Sequence, residues 1–255
     1  MPTPREDQPP FVLLHGGRHG GWCWKKVARL LRAAGHEVYT PTLTGLGDRV
    51  HLSHPGIGLS THVRDLVATF EYEDIDDAIL VAHSYGGIVA GGAMERIHHR
   101  VRHMVYFDAQ IPVSGESVFD MIGPARTEAM MQDVNNNGDS WYVPPSDVAR
   151  YGVTDPGDAA WANARITPQP VQTYREPSGP VTAAVAHPGT YIECTPSRVE
   201  ANVRERARER AATDQSFQYR ILNAPHDAMI THPDKVADML FQANGGIVSV
   251  PGNCP

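Results

Sequence analysis

The chain has 255 residues, 41% hydrophobic and 20% charged, and a formal net charge of -7. That length fits one large domain or two small ones, with a core big enough to need no disulfide or metal staples. The acidic balance disfavours a nucleic-acid binder, which needs a basic face to neutralise phosphates. The first ten residues, MPTPREDQPP, hold four prolines and no apolar run, so residues 1–10 read as a frayed tail. Phe11 to Leu14 is a buried strand ending on the glycine-rich turn HGGRHGG. Trp22 to Ala34 has helical spacing, with Gly35 as its stop, and Glu37 to Thr40 is a second strand. A helix over Thr61 to Phe70, a strand over Ala78 to Ala82, a helix over Gly86 to Ile97 and a strand over Met104 to Phe107 follow. The tail half repeats the pattern: strand Thr190 to Cys194, helix Arg198 to Ala212, strand Gln218 to Leu222, helix Pro233 to Gln242.

Short apolar strands alternating with helices predict an α/β fold, with a mostly parallel sheet flanked by helices. From about 111 to 187 the alternation stops, in a stretch rich in proline and aromatic residues. A structureless loop that long is anomalous in a compact domain. The expectation is a small helical cap inserted into one domain over 11–255.

The strongest local signal is AILVAHSYGG, where a strand runs into Ala82-His83-Ser84-Tyr85-Gly86 and then directly into a helix. This is the G-x-S-x-G nucleophile elbow with Ala82 in the first glycine's place, and it makes Ser84 the candidate nucleophile. A serine nucleophile needs two backbone N–H donors for its oxyanion. Tyr85, the next residue, offers one, and Gly17, in the loop after the first strand, is chosen for the other. The base must follow Ser84 in chain order, and His226 follows the last strand at the same sheet edge. For the acid, Asp108 at the end of MVYFDA is favoured; Glu193, Asp214 and a dyad without an acid remain open. His15, His83, Trp141 and Trp161 are candidate pocket residues. RERARER pairs Glu205 with Arg208 and Arg206 with Glu209, a solvated helix face rather than a nucleic-acid patch.

Three widely spaced cysteines (Cys23, Cys194, Cys254) without CxxC argue against structural zinc and for a reducing compartment. No HExxH, P-loop or EF-hand spacing occurs, so neither metal nor cofactor is expected. No run approaches the roughly 20 apolar residues of a membrane span. A cytoplasmic protein without a membrane or nucleic-acid partner is the expectation.

The stretches FVLLHGGRHGGWCWKKVARLLRAAGHEVYTPTLTGLG, VAHSYGGIVA, VYFDAQIPVSGES and HDAMITHP resemble the α/β-hydrolase superfamily, within it the plant methylesterase and hydroxynitrile lyase branch and its bacterial relatives. The resemblance implies a sheet with a helical cap, and Ser84, His226 and a carboxylate as triad. It also implies an oxyanion hole from Gly17 and Tyr85, no cofactor, and room for a homodimer. Two departures matter. Plant members place the acid after the strand matching TYIECT, where this chain has Thr195-Pro196-Ser197, which favours Asp108. The lyases carry a threonine in the oxyanion loop and a lysine after the histidine, where this chain has Gly17 and Asp227, which favours hydrolysis. The expected function is a serine carboxylesterase acting on a small apolar or aromatic ester. Alternatives are cleavage of a carbon–carbon bond or lactone by the same triad, or a receptor-like protein that binds its ligand with little turnover.

Overall fold

The computed structural model describes residues 8–243. Six parallel strands form the central sheet: β1 (Phe11–Leu14), β2 (Val38–Tyr39), β3 (Ala78–His83), β4 (Val101–Phe107), β5 (Gly189–Cys194) and β6 (Phe217–Leu222), in the order β2-β1-β3-β4-β5-β6. The main helices are α1 (Lys25–Ala33), α2 (Leu59–Tyr72), α3 (Gly86–Ile97), α4 (Pro124–Asn137), α5 (Ala201–Thr213) and α6 (Pro233–Ala243). Successive strand residues point to opposite faces, and both faces are dry. Val12, Leu14, Leu80, Ala82 and Tyr106 join the α2–α3 side through Leu66, Phe70, Ile88 and Val89. Phe11, Leu13, Ile79, Val81 and Phe107 join the α1–α6 side through Val27, Leu31, Val236 and Leu240. A buried side chain of this kind stabilises by about 1.5–3 kcal/mol, so these two layers supply the scaffold's rigidity.

Where the elements differ from expectation, local chemistry gives the reason. The first helix opens as a tight 3-10 turn over Gly21–Trp24 before α1 begins. β4 starts at Val101, three residues early, because exposed Arg102 and half-buried His103 hide the strand's apolar pattern. α5 begins at Ala201 rather than Arg198. The N–H groups of Arg198 and Val199 are held instead by the side chains of Asp108 and Ser197, so these residues belong to the site and not to the helix.

Residues 111–187 fold as a cap of short helices around α4, with a two-stranded ribbon pairing Tyr142–Val143 and Gln169–Pro170. Of the expected tail, residues 1–7 lie outside the described ones. The Pro9 carbonyl accepts from His36 Nδ1 and that of Pro10 from the Ile79 N–H, so the end of that stretch is tied to the sheet. Cys254 also lies outside the described residues, and Cys23 and Cys194 are buried free thiols. Among the described residues no helix is long and apolar enough to cross a membrane.

Candidate active site

Parallel register brings the candidate residues to one edge. Leu14 pairs with Ala82, His83 with Phe107, Phe107 with Ile192, and Cys194 with Leu222. The segments that leave these strand ends carry His15 to Gly17, Ser84, Asp108 and His226.

Ser84 sits between β3 and α3 with φ 51°, in the left-handed region that costs a non-glycine residue on the order of 1–3 kcal/mol. Its surroundings over-determine that conformation. The Ser84 N–H donates to Phe107, and its carbonyl accepts from the N–H groups of Gly87 and Gln110, both at 3.0 Å. Gly87 is required here, because a Cβ would lie 2.0 Å from the Gln110 carbonyl oxygen. The strain presents the hydroxyl at the start of α3, where the helix dipole favours negative charge. The half-buried Ser84 makes no side-chain hydrogen bond with any described residue.

The N–H groups of Gly17 and Tyr85 likewise donate to no other group among the described residues, which leaves both free for an oxyanion. The Gly16–Gly17 peptide is aimed from behind. His15 Nδ1 donates to the Gly16 carbonyl at 2.7 Å, while its Nε2 accepts from the Leu43 N–H at 3.1 Å. Gly17 has no room for a side chain, since a Cβ would meet the Tyr174 hydroxyl at 2.6 Å. Tyr85 is fixed by its own side chain. Its hydroxyl donates to His62 Nδ1 at 2.8 Å, and His62 Nε2 donates to the Thr44 carbonyl.

His226 Nδ1 lies 2.5 Å from Asp108 Oδ2. Asp108 is fully buried, and its carboxylate also accepts from the Ser197 hydroxyl at 2.5 Å and from the Cys194 and Arg198 N–H groups at 3.3 Å. Donors thus surround Asp108, and His226 Nε2 makes no hydrogen bond among the described residues. No Ser84–His226 hydrogen bond is formed either, although both line one cavity. Such bonds commonly tighten only with substrate bound. The other acid candidates are engaged elsewhere. Glu193 bonds Arg204 at 2.6 Å, Arg208 at 2.7 Å and the Tyr219 hydroxyl, and burial notwithstanding, these donors hold its carboxyl below the usual range. Asp214 bonds Ser216 and Arg210.

That cavity, about 340 Å³, is bounded by Ser84, His226, Gly17 and Tyr85 and roofed by the cap. His83 lines it as expected, but three expected pocket residues do not. His15 is fully buried with both ring nitrogens engaged, so it holds the Gly16–Gly17 loop instead. Trp161 packs against Trp22, 5.2 Å between ring centroids, and under the Arg165 guanidinium. Trp141 packs edge-on against Tyr142 at 5.0 Å. The cap aromatics that do face the cavity are Tyr151 and Tyr174.

Sequence reasoning missed a second buried pair. His19 Nε2 lies 3.0 Å from Asp227 Oδ2, and His19 Nδ1 lies 2.8 Å from the Gly17 carbonyl. Both partners are acceptors, so the geometry favours a proton on each ring nitrogen. Burial opposes that charge, but Asp227 and the Gly17 carbonyl raise the pKa above its ordinary value. The signal available in the sequence was Asp227 itself, a carboxylate directly before the apolar run Ala228-Met229-Ile230. Ligand-type atoms of His83, His226 and Asp227 lie within 4.8 Å of one another. His83 Nε2 donates to the His226 carbonyl and His226 Nδ1 is taken by Asp108, so the trio suits a hydrogen-bonded cluster better than a cation.

Two of these histidines predict acid sensitivity. Burial lowers His15 to about 3 and His62 to about 4. Below the ordinary value of about 6.5 the unfolded chain takes up protons that the folded chain refuses. Each group should therefore cost roughly 2 kcal/mol of stability between pH 7 and pH 5. His19 acts oppositely, its contribution being complete below pH 6.5 and lost as pH rises through its raised value. Urea titrations at the two pH values should show the acid loss, to which the depressed His83 and His103 add in the same direction, and His62→Gln should shrink it by roughly 2 kcal/mol; an unchanged loss contradicts the assignment.

Three comparisons bear on this geometry. Residues 11–239 match the model of the alpha/beta hydrolase family. A carbendazim hydrolyzing esterase of Nocardioides sp. (strain SG-4G) is 39% identical over 177 residues, 66% of this chain and 72% of that protein. Methyl jasmonate esterase 1 of Vitis vinifera is 38% identical over 109 residues, but the match spans only 40% of either chain. Among solved structures, an extracellular alpha/beta-hydrolase from a Paenibacillus species superposes with a TM-score of 0.79 at 21% identity, over 92% of this chain and 99% of that one. It is described as sharing structural and functional homology with tobacco salicylic acid binding protein 2.

Proposed function

The chain belongs to the alpha/beta hydrolase family, in its methylesterase branch, and its similarity to named esterases marks it as a hydrolase of the carboxylesterase type; from that premise we propose that Ser84, His226 and Asp108 hydrolyse a small carboxylic ester. Ser84 Oγ attacks the ester carbonyl while His226 Nε2 takes its proton. Asp108 fixes the Nδ1–H tautomer and stabilises the imidazolium, and the Gly17 and Tyr85 N–H groups receive the oxyanion. Collapse of the tetrahedral intermediate expels the alcohol, which takes the proton back from His226 and leaves an acyl-serine. Water, deprotonated by the same nitrogen, then releases the acid and restores Ser84.

The observation carrying this reading is the conjunction of a serine at φ 51°, two undonated N–H groups and a histidine 2.5 Å from a buried carboxylate, all facing one cavity. A cavity of about 340 Å³ suits small esters. Four arginines line it, so its wall is more polar than a largely apolar substrate needs. Placement in the cytoplasm belongs to the same proposal, supported by the free thiols of Cys23 and Cys194. Incubation with a fluorophosphonate should add one phosphonyl group, located by peptide mass spectrometry on Ser84, and abolish turnover of p-nitrophenyl acetate in step. Labelling elsewhere, or full labelling with retained turnover, refutes the assignment.

A further inference from the structure

Arg18, the residue after the proposed oxyanion donor Gly17, faces the same cavity as Ser84 and forms no ion pair among the described residues. Its backbone is held at φ 64° by two contacts from the cap side: its N–H donates to Gln169 Oε1 at 2.7 Å, and its carbonyl accepts from the Thr167 N–H at 3.0 Å. A non-glycine residue in that region needs such outside support. The side chain is mostly buried and anchored at one corner. Nη1 donates to Ser146 Oγ at 2.7 Å and to the Pro144 carbonyl at 3.4 Å, with the guanidinium 5.7 Å from the centre of the Tyr151 ring.

The other edge is unused. Among the described residues neither Nε, which is buried, nor Nη2 has a hydrogen-bond partner. Together, Nε and Nη2 form the fork that pairs a guanidinium with a planar carboxylate. The chain itself shows that pairing at Arg102, whose Nε and Nη2 each take one oxygen of Asp77. No carboxylate lies within ion-pair distance of Arg18 among the described residues. The Tyr151 hydroxyl beside it is also buried and unpartnered. Burial opposes the charge on this guanidinium, and only groups beyond direct contact, Asp133 and Asp227 among them, support it, so a carboxylate entering the cavity meets a cation with no direct ionic partner among the described residues. The surroundings have the matching sign. Arg126 pairs with Glu200, but Arg150 and Arg198 line the cavity without an ion pair among the described residues, against the single carboxylate of Asp133.

We propose that Arg18 is a specificity site for a carboxylate carried on the acyl part of the substrate, so that the preferred substrates are small half-esters of dicarboxylic acids. This rests on the esterase reading above and deepens it. The substrate carboxylate pairs with the guanidinium at Nη2, and a small turn of the side chain brings Nε into the same fork; this sets the distance between the anion and the scissile carbonyl held at Gly17 and Tyr85. Selectivity then resides in chain length as well as in charge, and it weakens with ionic strength.

The experiment compares kcat/KM for monomethyl glutarate with that for methyl 5-oxohexanoate, a neutral ester of the same shape, in wild type, Arg18→Gln and Arg18→Lys. The two esters share the reacting groups, so their ratio cancels damage to the common machinery. Wild type should prefer the charged ester at least tenfold. Arg18→Gln should lower that ratio tenfold or more, and Arg18→Lys, which keeps the charge but not the fork, should lower it less. A wild-type preference for the neutral ester, or a ratio that changes less than threefold in Arg18→Gln, overturns the specificity site while the esterase reading stands. Turnover of neither ester, with Ser84 unlabelled by the fluorophosphonate, overturns both.

Discussion

Ser84→Ala is expected to lower kcat/KM for ester hydrolysis by at least a thousandfold and to abolish covalent labelling, with little change in stability. The activity loss follows from chemistry: without the hydroxyl no acyl-enzyme forms, and only the oxyanion donors and substrate binding remain to assist attack by water. The small stability change follows from geometry. Ser84 Oγ makes no hydrogen bond with any described residue, so its removal leaves no buried partner unsatisfied. The backbone at φ 51° is held by the Gly87, Gln110 and Phe107 hydrogen bonds, which alanine keeps. Initial rates by pH-stat and thermal melts on the same preparations separate the two quantities. Residual turnover above about a hundredth of wild type in the variant, at matched stability, refutes Ser84 as nucleophile. The experiment also distinguishes an enzyme from a receptor of the same fold: a receptor keeps its ligand affinity in Ser84→Ala and shows negligible turnover before the substitution.

The sheet was the most legible part of the chain. β1, β3 and α3 are bounded by apolar runs and glycines that leave little choice, and their expected ends agree with the structure to within one residue. Edges were lost where polar groups enter an element, as at Arg102 and His103 in β4, because periodicity cannot distinguish an exposed strand start from a loop. The nearness of Ser84, His226 and Asp108 was legible because a parallel sheet sends every strand end to one edge, so chain position alone brings them close. The cavity wall was not. Trp141 and Trp161 were chosen for their aromatic character, but burial of a tryptophan in a cap is satisfied by any apolar neighbour, and here those neighbours are Tyr142 and Trp22. Arg18 and the His19–Asp227 pair depend on which side chains meet across sequence separations of 128 to 208, and no local pattern encodes that.

Asp108→Asn should lower kcat by a factor of about 10³ to 10⁴ while leaving the fold intact, and it tests the least conventional part of the site. The Asp108 carboxylate accepts from four donors: His226 Nδ1–H, the Ser197 hydroxyl and the Cys194 and Arg198 N–H groups. Asparagine has one acceptor oxygen to offer. Turned toward Ser197 and Cys194, it keeps two of the four bonds and presents its NH2 to His226. That NH2 can only donate, so His226 Nδ1 must accept and the ring proton moves to Nε2. In the proposed mechanism Nε2 receives the Ser84 proton, and a protonated nitrogen cannot. Asp108→Ala behaves differently: it leaves the tautomer free but deprives buried donors of their acceptor, so it should lose more stability and less kcat than the asparagine variant. Glu193→Gln weakens the Arg204, Arg208 and Tyr219 contacts between β5, α5 and β6 and should lower the melting temperature with kcat within about threefold of wild type. Asp214→Asn, at an exposed turn, should alter neither quantity much. If Asp108→Asn and Glu193→Gln instead lower kcat equally and mildly, then His226 does not take its orientation from Asp108. The 2.5 Å contact would then be structural rather than catalytic.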